Sequence, residues 1–318
     1  MNLDLSFLNA KLVLPVDYKS VEFWLVGAGG TGSFMAMNLA RLAFELKTLG
    51  KSAKIFIVDP DRVETGNIPR SNFCFAEIGL NKAETLAGRV SRAWGIEVGF
   101  VKEGFRQELL QIKNDDWQIQ SSNSNKLTIL VGCVDNHMAR LQMHEALKFY
   151  GERSYDSSSP RLWWIDGGNG RDTGQVLIGN KLNKKEICES ARALPILSLL
   201  PAPSLQHPDL LQREGEKKVR KSSNGHPQTN DAMTCAERIR LGEQNLNVNQ
   251  RVALEMNEML TALLLTNSLR RFATYFDLES GTSRSLYTTA EKIEQAVNLA
   301  ADKNDNVSKH RKRKSKSK

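Results

Sequence analysis

Two periods of apolar spacing alternate along this chain. Phe23 to Val26 is a short continuous apolar run, the pattern of a strand buried on both faces. From Thr31 to Leu49 the residues Met35, Leu39, Leu42, Ala43 and Leu46 recur at helical spacing, and Gly50 is a natural helix stop. Lys54 to Val58 predicts a second strand that ends on Asp59. A helix over Asn81 to Trp94 and an alternating strand over Ile96 to Val101 follow. After the polar loop Ser121 to Lys126, the stretch Leu127 to Val134 predicts the most buried strand. It leads into a helix over Asn136 to Tyr150, with Met138, Leu141, His144 and Leu147 on its apolar stripe. Leu162 to Asp166 and Gln175 to Ile178 read as two further strands. The Trp163-Trp164 pair reads as strand core, and Asp166-Gly167-Gly168 as a turn or the wall of a channel.

The pattern weakens after Asn180. Lys181 to Asp231 is rich in Pro, Ser, Gln and charge, and predicts a long crossover segment with one short helix near Glu186 to Ala193. Irregular segments of this length often serve as lids or binding loops. Asp231 to Glu237 leads into a helical region whose apolar stretch is Val252 to Leu269. Phe272 to Leu278 and Ser283 to Tyr287 predict an antiparallel pair joined at Glu279 to Gly281. Residues 1–20 read as a lead-in with one helical turn ended by Pro15. Strands alternating with helices imply an α/β fold: a Rossmann-like, doubly wound, mostly parallel sheet, with a C-terminal helix and antiparallel strands added. The expected organisation is one domain over 21–290, containing the 181–231 crossover, and a helical to disordered basic tail over 291–318.

Composition changes this picture in three places. The formal net charge of +8 suggests a nucleic-acid partner, but seven Lys or Arg lie in the last eleven residues, Ser308 to Lys318. The basicity therefore belongs to a tail, which reads as solvated or as a secondary contact for nucleic acid or an acidic partner. Cys74, Cys133, Cys188 and Cys235 form no Cys-x-x-Cys pair, so neither a disulfide framework nor a zinc site is expected. The chain lacks an apolar window of about 18 residues and a signal-peptide pattern. A cytoplasmic protein without a membrane span is expected.

Candidate chemistry gathers at strand ends, where ligands of doubly wound sheets sit. Gly27, Gly29, Gly30 and Gly32 between the first strand and helix form a nucleotide-type turn. The helix start at Thr31 offers free N–H groups to an anion. Asp59 follows the second strand, the position of an acid that holds ribose hydroxyls. Asp61, Asn67, Arg70 and Lys82 follow it. An arginine and a lysine near a phosphate loop suit a triphosphate, because they neutralise polyphosphate and a leaving pyrophosphate. Asp135, after the most buried strand, is placed to share Mg²⁺ with phosphate oxygens. A nicotinamide-dependent oxidoreductase would use the glycine turn and Asp59 but would leave Arg70, Lys82 and Asp135 without a role.

Taken together, the glycine turn, Asp59-x-Asp61, Asn67-x-x-Arg70, Gly79-x-x-Lys82 and Asp135-Asn136-x-x-x-Arg140 resemble the ThiF/MoeB/HesA family, the core of ubiquitin-activating enzymes. The resemblance runs from about Val21 to Tyr287. Thr234-Cys235-Ala236-Glu237 and the closing helix look most like ThiF-type members of bacterial PRTRC clusters. The resemblance implies ATP-dependent adenylation of the C-terminal carboxylate of a small ubiquitin-like or sulfur-carrier protein. It implies that Gly27, Gly29, Gly30 and Gly32 cradle the phosphates and Asp59 the ribose. Asp61, Asn67, Arg70 and Lys82 would contact ATP, and Asp135 would hold Mg²⁺. It also implies a homodimer, some members completing the site with a partner arginine. No Arg precedes Arg41 here, leaving Lys11 or Lys19 as substitutes, or no such contact. Ser71 stands where the family has Gln. Cys235 matches the place of a thioester-forming cysteine, which would hand the carrier to a conjugating-enzyme-like protein. The alternatives are an activator that stops at the acyl-adenylate, with Cys235 a small packed residue, and a non-catalytic nucleotide-binding or plasmid-maintenance protein. Cys188, in the crossover, is a further nucleophile candidate.

Overall fold

The computed structural model describes residues 6–111, 125–153, 160–213 and 245–298. The chain runs β1 (Leu12–Val13), β2 (Ser20–Val26), α1 (Gly30–Thr48), β3 (Ser52–Val58), α2 (Lys82–Trp94) and β4 (Val98–Val101). It continues through β5 (Lys126–Gly132), α3 (His137–Arg153), β6 (Leu162–Asn169), β7 (Thr173–Gly179), α4 (Lys184–Ala193) and β8 (Ile196–Leu197). The short α5 (Pro203–Gln206), α6 (Val248–Leu264), β9 (Arg271–Asp277), β10 (Ser283–Tyr287) and α7 (290–298) complete it.

The main sheet has the order β4-β3-β2-β5-β6-β7-β9-β10. Its strands are parallel from β4 to β6, and β7, β9 and β10 then add in antiparallel fashion. From β2 the chain steps to β3 on one side and later to β5 on the other. The loops leaving β2 and β5 therefore diverge, and a crevice opens at their carboxyl ends. This is the expected α/β architecture with its antiparallel C-terminal pair.

The continuous apolar run of β2 follows from burial on both faces. Phe23 and Leu25 join a core shared with α1, α2 and α6, while Trp24 and Val26 join a second core with Met143 and Leu147 of α3. Successive side chains point to opposite faces, so neither face tolerates polar residues over this stretch. Trp163 and Trp164 divide between the same two cores. The predicted stripe of α1 is buried as spaced, and Gly50 adopts φ 76° just beyond its end. In α2, the Asn81 side chain accepts from the Glu84 N–H at the start, and Gly95 is left-handed at the end.

Four expectations are corrected. The lead-in is more than a turn ended by Pro15: residues 6–9 form a hydrogen-bonded turn, and Leu12–Val13 after it is a strand paired in parallel with β8. Asp166 to Gly168 is not a turn but part of β6, where Asp166 pairs with Leu177 of β7; the reversal lies at 170–172. The stripe of α3 is rotated from the predicted one: Met138 is 51% exposed, and Met143, Ala146 and Leu147 carry the burial. The described part of the crossover, through residue 213, is packed and not a free lid: Leu197, Leu199, Leu200, Ala202 and Leu210 are buried. Polar composition concealed this because the apolar residues there follow no period. Cys235 with its neighbours Thr234 to Glu237, His226, and the basic stretch Ser308 to Lys318 lie outside the described residues.

Candidate active site

The crevice at the strand ends forms a cleft of about 740 Å³. Gly27, Gly29, Gly30, Asp59, Asp61, Asn67, Arg70, Lys82 and Asp135 all line it. Residues spread over more than a hundred positions meet there because each follows, or packs on, the end of a parallel strand.

The glycine turn is built by close approach. Gly27 has φ 90°, in the left-handed region that favours glycine. Gly32 does not reach the cleft wall. A Cβ there would overlap the Gly27 carbonyl oxygen, so Gly32 lets α1 start directly beneath the turn. The side of Gly29 that would carry a Cβ is open space. The backbone at Gly29 is therefore open to a ligand just ahead of α1, whose first turn contains no acid.

Asp59 is 6% exposed, and both its carboxylate oxygens serve the backbone. Oδ2 accepts from the Ala28 N–H at 2.6 Å, and Oδ1 from the Asp61 N–H at 2.8 Å. Burial pushes its carboxyl above the usual range, against these hydrogen bonds and the nearby Lys82 charge. Each oxygen retains a lone pair for a further donor. Asn81 locks the same corner: its Nδ2 donates to the carbonyls of Asp59 at 3.1 Å and Asp61 at 3.0 Å.

The charged groups of the cleft sort into pairs and singles. Lys82 Nζ lies 3.1 Å from Asp61 Oδ2, with the lysine nearly buried and the aspartate exposed. Arg106 pairs with Glu103 at 2.7 Å on the β4 side. Arg70 and Asp135 have no ion-pair partner among the described residues. Arg70 Nε is buried without a hydrogen-bond acceptor among the described residues, and Asp135 is exposed just after β5. A buried guanidinium N–H without an acceptor is costly and suits an anionic ligand atom. One exposed carboxylate beside a phosphate-binding turn suits Mg²⁺, which takes few protein ligands and completes its shell with phosphate oxygens and water. Among the described residues no three His, Cys, Asp or Glu gather into a metal cluster.

Beneath the cleft, Arg140 Nε contacts both oxygens of the fully buried Asp166, at 3.1 and 3.2 Å. This pair ties α3 to β6. Burial pushes the Asp166 carboxyl up, and the Arg140 charge opposes it. Asn136 caps α3 by accepting from the Ala139 N–H at 2.9 Å. The described cysteines differ sharply in setting. Cys133 packs against the Met256 sulfur at 3.9 Å, and burial pushes its thiol well up. Burial also raises the Cys188 thiol, and Cys74 is exposed. Lys11 is already committed: its Nζ donates to the carbonyls of Ala191 and Leu194, both at 2.7 Å, at the end of α4. Lys19 adjoins the start of β2, at the opposite end of the sheet from the cleft.

Sequence reasoning missed several wall residues. Glu103 to Arg106 follow β4 as Asp59 follows β3, so the strand-end rule could have found them. Met138 and Gln142 were hidden by the misjudged stripe of α3. Asn169, at the end of β6, had no local signal, and Asn249 none beyond being a polar residue on an apolar helix face.

A model described as the ThiF family matches residues 16–213. No curated protein matches the chain. Among solved structures, E. coli MccB with ATP is 14% identical, with 90% of this chain and 66% of that one covered and a TM-score of 0.49. E. coli MccB with AMPCPP and MccA is 14% identical over 85% and 64%, also with a TM-score of 0.49. PaaA is 13% identical over 85% and 64%, with a TM-score of 0.47. The chain spans less than two thirds of the length of these structures.

Proposed function

The chain belongs to the ThiF family, and on that premise we propose that it adenylates the C-terminal carboxylate of a small protein or peptide with ATP. The observation that carries this is the convergence on one cleft of the glycine turn, Asp59, Lys82, Arg70 and Asp135, the last two without an ion-pair partner among the described residues. Magnesium, shared between Asp135 and phosphate oxygens, would supply charge neutralisation. The open backbone at Gly29 and the N-terminus of α1 would hold the phosphates, and the spare lone pairs of Asp59 would accept from ribose hydroxyls. The substrate carboxylate oxygen attacks the α-phosphorus, the bond to the bridging oxygen breaks, and pyrophosphate leaves. Arg70 and Lys82 would stabilise the charge that accumulates on that leaving group. Lys82 would exchange its exposed partner Asp61 for phosphate, a small loss for a screened pair. Asn67 lies beside them in the wall.

The carrier proposed is a small ubiquitin-like or sulfur-carrier protein, and we infer that the chain is one of the PRTRC-type members. A thioester on Cys235 is the proposed second step. Support for looking beyond Cys133 and Cys188 comes from their raised thiols, which disfavour the nucleophilic thiolate. A homodimer is proposed too; the engaged Lys11 argues against its serving as the inter-subunit cation. Carrier-dependent ATP–pyrophosphate exchange tests the reaction, and Asp135→Ala is expected to lower it by about 100-fold or more. Unchanged exchange in that variant would remove Asp135 from the metal role, and tight binding of a nicotinamide dinucleotide without ATP binding would overturn the reaction class. Cys235→Ala should preserve exchange and lose a reducible carrier adduct; a persisting adduct excludes Cys235.

A further inference from the structure

Asn249 stands in the first turn of α6, 3% exposed and with Val248, Val252, Ala253 and Met256 of the same helix buried around it. A buried amide on an apolar helix face is unfavourable unless its hydrogen bonds are made. Here they are made to three separate elements. Asn249 Oδ1 accepts from Thr31 Oγ1 at 3.2 Å, at the start of α1, and from Asn169 Nδ2 at 2.5 Å, at the end of β6. Its Nδ2 donates to the Arg70 carbonyl oxygen at 3.1 Å.

Two observations show how closely this junction is fitted. A Cβ on Gly30 would lie 2.5 Å from Asn249 Nδ2, so the absence of a side chain at Gly30 is what admits the amide. Just before α6, the Asn245 N–H donates to the Arg171 carbonyl at 2.9 Å, which fastens the β6–β7 reversal next to Asn169. The Arg70 guanidinium, by contrast, has no ion-pair partner among the described residues. Its position is set by its backbone, and a side-chain anchor of that backbone is Asn249.

We propose that Asn249 is a positioning residue of the cleft, which sets the Arg70 backbone in register with the glycine turn and so aims the guanidinium at the phosphates. The inference rests on the ATP reading above. It adds to that reading a residue from α6, beyond the stretch that the family model matches.

The test measures the ATP dissociation constant of the full chain, with Mg²⁺, by calorimetry well below the melting temperature of each variant. Wild type, Asn249→Ala, Arg70→Ala and the double variant are compared. Asn249→Ala is expected to weaken ATP by about 10-fold, and the double variant by less than the product of the two single losses. A merely structural role would lower the melting temperature and leave the dissociation constant of the folded protein unchanged. Unchanged affinity in Asn249→Ala, or losses that multiply fully, would overturn the proposal. Should Asn249→Ala not fold, Asn249→Asp keeps the shape and both acceptor contacts but removes the donor to Arg70. Its loss of affinity is expected to shrink in the Arg70→Ala background. A loss of undiminished size there would reflect charge repulsion alone and overturn the proposal. Wild-type protein that binds no ATP would overturn the function reading itself, and this inference with it.

Discussion

Single residues in this protein are held by burial as much as by partners, and His144 shows the consequence for pH. Its Nδ1 meets the buried Ser204 hydroxyl at 2.8 Å, and burial holds the imidazole below its ordinary range. The unfolded chain takes up a proton near the free-histidine value of about 6.5, which the folded chain resists. Stability from this group is therefore present above that pH and is lost as the pH falls. His144→Gln, which retains a partner for Ser204, should flatten the decline in melting temperature between about pH 7.5 and 5.5. An unchanged slope would refute the assignment. Asp59, whose carboxyl is raised by burial, acts with the opposite sign, so the comparison must be made between variant and parent. That Asp59, Arg70, Lys82 and Asp135 meet in one cleft was legible in the sequence, because each stands at a fixed offset from a recognisable strand or glycine turn. The place of Asn249 was not, since its hydrogen bonds join three elements that only the fold brings together.

At the scale of elements, caps and strand ends do double duty. Asn81 begins α2 by accepting from Glu84 and, through the other half of its amide, holds the carbonyls of Asp59 and Asp61. Asn81→Ala should cost about 2–3 kcal/mol, from one lost cap and two lost hydrogen bonds, and should weaken ATP as the Asp59 corner loosens. Denaturant unfolding checks the first effect and calorimetry the second. Elements with a clear period were legible: β2, α1, β3, α2, β5 and the β9–β10 hairpin fall within a few residues of expectation. The crossover was not, because residues such as Leu199, Leu200 and Ala202 are buried without periodicity, held by backbone bonds from Asn180 and Lys181 to Leu200. The β1–β8 pair escaped detection as well; two residues on each side are too few to show alternation.

For the whole molecule, the alternation of strands and helices was enough to imply the doubly wound sheet, while the order of its far half was not. Only the paired geometry shows that β9 inserts beside β7 and that β10 lies at the edge. It also shows where α6 goes. Val252, Met256, Met259, Leu260 and Leu263 are fully buried, and the helix packs against α1, β6 and β7. A chain ended at residue 213 would leave those surfaces of α1 and the sheet bare. It should lose its cooperative thermal transition and collect in the insoluble fraction; a soluble fragment with a sharp melt would contradict this packing. The position of α6 has a meaning for the gene as well. The stretch that identifies the family is complete before the codon for Asn249 is read, so a premature stop in the interval would spare all of the matched stretch and still remove α6 from the fold. For this fold, an intact signature in a damaged reading frame is no evidence of an intact core.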